Sequence, residues 1–261
     1  MDRRQQILQT RSTVDGWVIR ARSPEAPQPG AELEADDVVW PARRVSETAR
    51  LALIASSEHL QLACQVTDGR RGYATALHTV VRGALLGAAT AVWVVGPDDA
   101  QERQQRALRL AAEWYRRIGQ HGEISRRHCP PQDLTALDDQ IQYSRAQHDR
   151  VRILWKSTPT ITAQEAPKDT KVIDWVAEFL FPADASKATS IRRQWAELSG
   201  DAHALGWQLV SRRTSPMTRE RGGFRVTATE GTIEQIAEPY LAAFHVLKRG
   251  WGLFDRRCTG P

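Results

Sequence analysis

The sequence has no long hydrophobic run. Its longest uncharged apolar stretch goes from Gly83 to Val95, well short of the roughly 20 residues that cross a bilayer, so no membrane span is expected. The N-terminal stretch "MDRRQQILQTRSTVDGW" is basic but lacks the apolar core of a secretory signal. Cysteine is scarce: Cys64, Cys129 and Cys258 are an odd number without metal-ligand spacing, which argues against a disulfide framework and suits the reducing cytoplasm. Lysine is scarce too. Nearly all of the 36 cationic side chains are arginine, and the net charge is +5, a balance that permits bidentate contact with phosphate and makes RNA a candidate partner. No P-loop, dinucleotide, hydrolase or helix-turn-helix pattern occurs, and no cofactor is called for. His121, His128 and Cys129 share an expected loop at a spacing zinc accepts but does not require, so no metal site is assigned.

What is present is helical periodicity, in a chain of 261 residues with 41% hydrophobic content, ample for a packed core. Residues 1–38 include "RSPEAPQPGAELEADD" and show no period, so an extended N-terminal arm is expected, followed by a single helical domain over 39–261. Val45, Ala49, Ala52, Ser56, His59, Leu60 and Ala63 recur every three or four residues, marking one helical face. The next helix, over 72–95, is apolar nearly all round and is expected to be central. Gly83 and Gly87 lie one turn apart on it and would let a neighbouring helix approach closely. Gly96-Pro97 ends it, and "DDAQ" supplies a cap for a third helix reaching Ile118. Further helices are expected over 133–155, 171–181, 186–210 and 232–249, with a basic loop before a short strand near 224–229. The expected fold class is therefore all-α, a bundle of six to seven helices with one short strand.

One residue disturbs this pattern. Arg82 stands inside the apolar helix, and a guanidinium cannot lose its proton when buried, so it requires a partner or a visiting anion. His78 lies one turn before it on the same face. If the preceding helix turns back near Gly69, His59 comes level with His78. Ser199 and His203 are again one turn apart on a later helix. His59, His78, Arg82, Ser199 and His203 therefore form a candidate polar pocket, and Glu58, Glu102 or Glu113 would neutralise Arg82. The set reads equally as a network fixing helix register and as an anion site with histidine available for proton transfer.

The stretches "PGAELEADD", "SSEHLQLA", "YATALHTVVRGALLGAATAVWVVGP", "ERQQRALRL" and "ELSGDAHALGW" resemble, in that order, the signposts of a group of uncharacterised all-helical actinobacterial and actinophage proteins. The resemblance spans about residues 29–210. The group's pattern of "HL", "R-x-x-x-E", "ER-x-x-R" and "LS-x-x-x-H" falls here on His59, Arg82, Arg103 with Arg106, and Ser199 with His203. The acid expected after Arg82 is replaced by Gly87 or its neighbours. No activity is established for that group, so the resemblance implies layout rather than chemistry. A more distant similarity is to the HEPN class of helical bundles, which includes RNA-cleaving toxins: their arginine-then-histidine motif matches Arg71 and His78 at the upper limit of its spacing.

Three functions follow as expectations. The first is a non-catalytic interaction factor, phage or host-defence related, that binds a protein partner or a second copy of itself. The second is a HEPN-like ribonuclease, with Arg71 or Arg82 stabilising phosphate charge, His78 or His203 transferring a proton, and Arg212, Arg213, Arg219, Arg221 and Arg225 guiding RNA. The third is a sensor of a small anion or nucleotide. The interaction factor stands first, because the pocket residues are explicable without chemistry; whether the chain is an enzyme stays open at this stage.

Overall fold

The computed structural model describes residues 2–69, 73, 75–156, 168–207 and 231–260, together with the backbone of 219–221 and 224–226. It is all-helical apart from one minimal hairpin. In chain order the elements are α1 (Arg3–Leu8), α2 (Arg11–Ala21), α3 (Glu32–Asp37), α4 (Val45–Asp68), α5 (Ala76–Val95) and α6 (Ala100–Arg126). A 3-10 turn at Pro131–Asp133 then leads into α7 (Leu134–Lys156), followed by α8 (Asp169–Leu180), α9 (Ala185–Ala202), β1 (Arg219–Arg221), β2 (Phe224–Val226) and α10 (Ile233–Cys258).

Two compact units are present, each assembled from separated stretches of chain: Met1–Glu25, Arg50–Trp93 and Asp169–Asp255 form the first, and Ala26–Ala49, Val94–Lys168 and Arg256–Pro261 the second. The segment expected to be an extended arm is not extended. Its Pro-rich character is confined to the stretch between α2 and α3; before it Ile7, Val14 and Val18 are buried, and after it Leu33 is buried, so short apolar helical faces exist on both sides. These extra helices raise the total above the six to seven expected. The single strand expected near 224–229 is corrected as well: β2 pairs antiparallel with β1, Arg219 opposite Val226, and 227–229 lie outside the described residues.

In the first unit, α4 and α5 run antiparallel in close contact. A methyl group at Gly87 would stand 2.8 Å from the Ala52 carbonyl oxygen, and one at Gly83 would stand 2.8 Å from His59 Nε2. Ser56 Oγ donates to the Ala84 carbonyl at 2.7 Å, across the same seam. Gly250 of α10 likewise lies against Leu53. Small residues thus set the helix spacing, and their absence of side chain is what lets α5 be surrounded. Ala76–Val95 is the one helix among the described residues long and apolar enough to cross a membrane by length and composition, and 61% of that window is buried within the fold, as for a central core helix.

In the second unit, α6 and α7 form an antiparallel pair. Gly122 faces Ile141 and Gly119 faces Ser144, and toward the other end Leu108, Ala111, Ala112 and Tyr115 pack with Val151 and Trp155. This pairing carries α6 on to Arg126 rather than stopping it near Ile118. Asp99 caps its start by accepting from the Gln101 N–H at 2.9 Å.

Candidate functional site

Arg82 is half-buried, at 20% side-chain exposure. Its guanidinium lies 4.4 Å from the centroid of the Trp195 ring on α9. Nε donates to Ser199 Oγ at 3.3 Å, one turn further along the same helix. Nη2 reaches Asp169 Oδ2 at 3.5 Å, at the start of α8. Trp195 is held in turn by its own Nε1–H, which donates to Thr170 Oγ1 at 3.2 Å. The cation therefore has an aromatic face, a hydroxyl and a half-exposed carboxylate. The neutralising acid is Asp169, not Glu58, Glu102 or Glu113; Glu113 is engaged by Arg116 and Arg117 and Glu102 by Arg106.

The histidines do not complete this cluster: among the described residues no imidazole is a partner of Arg82. His78 is 1% exposed, inside the core. His59 stands level with Gly83, five residues beyond the His78 that the sequence placed opposite it; α4 ends at Asp68, as a turn near Gly69 requires, but α5 starts only at Ala76. Its Nδ1 lies 2.6 Å from the Ala55 carbonyl oxygen on its own helix. His203 is the C-cap of α9, its backbone N–H donating to the Ser199 carbonyl at 3.1 Å, and its side chain is exposed. The helix expected to reach 210 ends here, through Ala204 and Gly206 in the left-handed region.

Arg103 and Arg106 belong to the second unit, and Arg103 has a structural task. The Val95 carbonyl that ends α5 has no helical partner, and two buried arginines take it and the carbonyls just beyond it. Arg257 donates from Nε to the Val95 carbonyl at 2.9 Å and from Nη2 to the Pro97 carbonyl at 2.9 Å and Asp98 Oδ1 at 2.7 Å. Arg103 donates from Nη1 to the Pro97 and Asp98 carbonyls at 3.0 and 2.8 Å. Arg103 Nε meets Asp36 Oδ2 at 2.6 Å, and Glu32 closes onto both guanidiniums. Burial pushes the Asp36 carboxyl up, against the pull of Arg103, whereas Arg257 holds the exposed Asp98 down. "PGAELEADD", "VVGP" and "ER" are thus parts of one latch.

Asp169, Trp195, Glu32, Asp36 and Arg257 were not singled out from the sequence. Trp195 carried a usable signal, standing one turn before Ser199 on the same face; Arg257 carried none. Arg71, Arg212 and Arg213 lie outside the described residues, as do the side chains of Arg219, Arg221 and Arg225. Among the described residues no group of three or more histidine, cysteine or acidic side chains is placed to hold a metal. His121 sits on α6, before its end at Arg126, while His128 and Cys129 lie beyond it. No protein-family model, curated protein or solved structure matches this chain.

Proposed function

We propose that the chain is a cytoplasmic partner-binding protein, phage or host-defence related, rather than a nuclease. The observation that carries this reading is the placement of His78: at 1% exposure its imidazole is out of reach of a polymer substrate, whereas a general acid or base must come within hydrogen-bond reach of the reacting group. The Arg82 cluster reads as a clasp joining α5, α8 and α9. What the second unit does offer is aromatic surface. Trp114 and Tyr143 are 45% and 54% exposed and flank Tyr115, the first as its chain neighbour and the second in edge contact at 6.5 Å. Arg43 lies over the Trp114 ring at 3.8 Å. Exposed tryptophan, tyrosine and arginine are the residue types that protein interfaces enrich.

The test is incubation of purified protein with total RNA, alongside the His78→Ala plus His203→Ala double variant. Intact RNA in both samples is the expected result. Cleavage that disappears in the double variant would replace this reading with the HEPN-like one.

A further inference from the structure

Among the described residues of the second unit, two buried side chains have polar atoms without a hydrogen-bond partner. On α6, one turn apart and therefore on one face, stand Gln105 at 1% exposure and Arg109 at 8%. Among the described residues neither Gln105 Nε2 nor Oε1 has a hydrogen-bond partner, and neither does Arg109 Nε or Nη2. Between them in sequence, Arg106 is buried at 4% and pairs with Glu102. The Trp155 ring lies 5.3 Å from the Arg109 guanidinium carbon, which softens the burial of its charge but accepts no hydrogen bond along the guanidinium edge. Burial lowers both arginines from their ordinary range, and each lies within electrostatic reach of Glu102.

Among the described residues neither open nitrogen of Arg109 meets a carboxylate. A buried cation is retained only when its charge and donors are answered. The two open nitrogens of Arg109 are Nε and Nη2, the edge that grips an oxyanion with two parallel hydrogen bonds. Gln105 adds a donor and, through its open amide oxygen, an acceptor. By its donors and acceptors an oxyanion bearing a hydroxyl matches all four atoms, as hydrogenphosphate does near neutral pH and sulfate does not. Glu102, at 37% side-chain exposure, marks the side on which the cluster meets solvent.

We infer that Gln105 and Arg109 form a binding site for a protonated phosphoryl group, with Arg106 and Glu102 at its edge. The shared chemistry admits free phosphate and, in the monoanionic form that keeps one P–OH, the terminal phosphate of a nucleotide. This inference stands apart from the partner-binding reading above, since neither Trp114 nor Tyr143 enters it.

The experiment is thermal unfolding of the full chain at about pH 6, where inorganic phosphate and much of the AMP keep a P–OH, with inorganic phosphate, AMP, sulfate or chloride at matched ionic strength. Millimolar phosphate is expected to raise Tm by about 2–4 °C over chloride, with sulfate inert. A response to AMP exceeding that to phosphate assigns the site to a nucleotide, and a response to phosphate alone assigns it to the free ion. Gln105→Leu and Arg109→Met are both expected to abolish the shift; two variants guard against one failing to fold. No shift in the wild-type protein, or an undiminished shift in either folded variant, would overturn the site. An equal response to sulfate would overturn its demand for a hydroxyl.

Discussion

At the scale of single residues, arginine divides by what surrounds it. Arg103 is 2% exposed and closes on a fully buried Asp36; removing one member of such a pair strands the other's charge. Arg103→Met is therefore expected to lose about 3–5 kcal/mol, read as the unfolding midpoint in urea. Arg82 faces Asp169, which is 52% exposed, and a tryptophan ring; Arg82→Met is expected to lose about 1 kcal/mol. The reverse order would mean that the clasp, not the latch, holds the fold. Glu25 supplies a pH dependence. Arg20 hydrogen-bonds to it and, with Arg50, holds its carboxyl below the ordinary 4.5. The native state therefore binds this proton more weakly than the unfolded chain. The stability it contributes is present above pH 4.5 and is lost as pH falls through the lowered native value. Acid titration of Glu25→Gln should show a shallower fall below pH 4.5 than the parent protein; an unchanged slope would remove Glu25 from the balance.

At the scale of elements, the glycines separate into seams and surface. Gly87 meets the backbone carbonyl of Ala52, which cannot rotate aside, whereas nothing lies within 4 Å of a methyl group at Gly16 on α2. Gly87→Ala is expected to cost about 1–3 kcal/mol, and Gly16→Ala to add about 0.5–1 kcal/mol by restricting the unfolded chain. Opposite signs in chemical denaturation would verify both seams and spacing. The close approach at Gly83 and Gly87 was legible in the sequence, because paired small residues on an apolar helix have few other uses. Its register was not. Placing the turn at Gly69 with the next helix from 72 misjudged the partner of His59 by five residues, since nothing in "TDGRRG" shows that α5 starts only at Ala76. The length of α6 was hidden for a related reason: Gly119 and Gly122 look like breakers alone, and only Ser144 and Ile141 of α7 explain them.

At the scale of the whole molecule, the all-α class could be read from periodicity, and so could the central position of α5. Its assembly could not. Two discontinuous units arise from contacts such as Arg257 with Val95, which local patterns do not encode, and the candidate pocket was built on residues that the chain distributes differently. Arg82 and Ser199 do meet; His78 stays in the core and His203 at a helix end. The reading of the protein as a binder rests on that difference, and chemical modification of histidine tests it most directly. Diethylpyrocarbonate reacts with accessible imidazole, and peptide mass spectrometry locates the product. In the native protein His203 is expected to be modified while His78 stays protected until unfolding. Modification of native His78 at a rate comparable to His203 would contradict the account and restore a solvent-reachable catalytic imidazole beside Arg82.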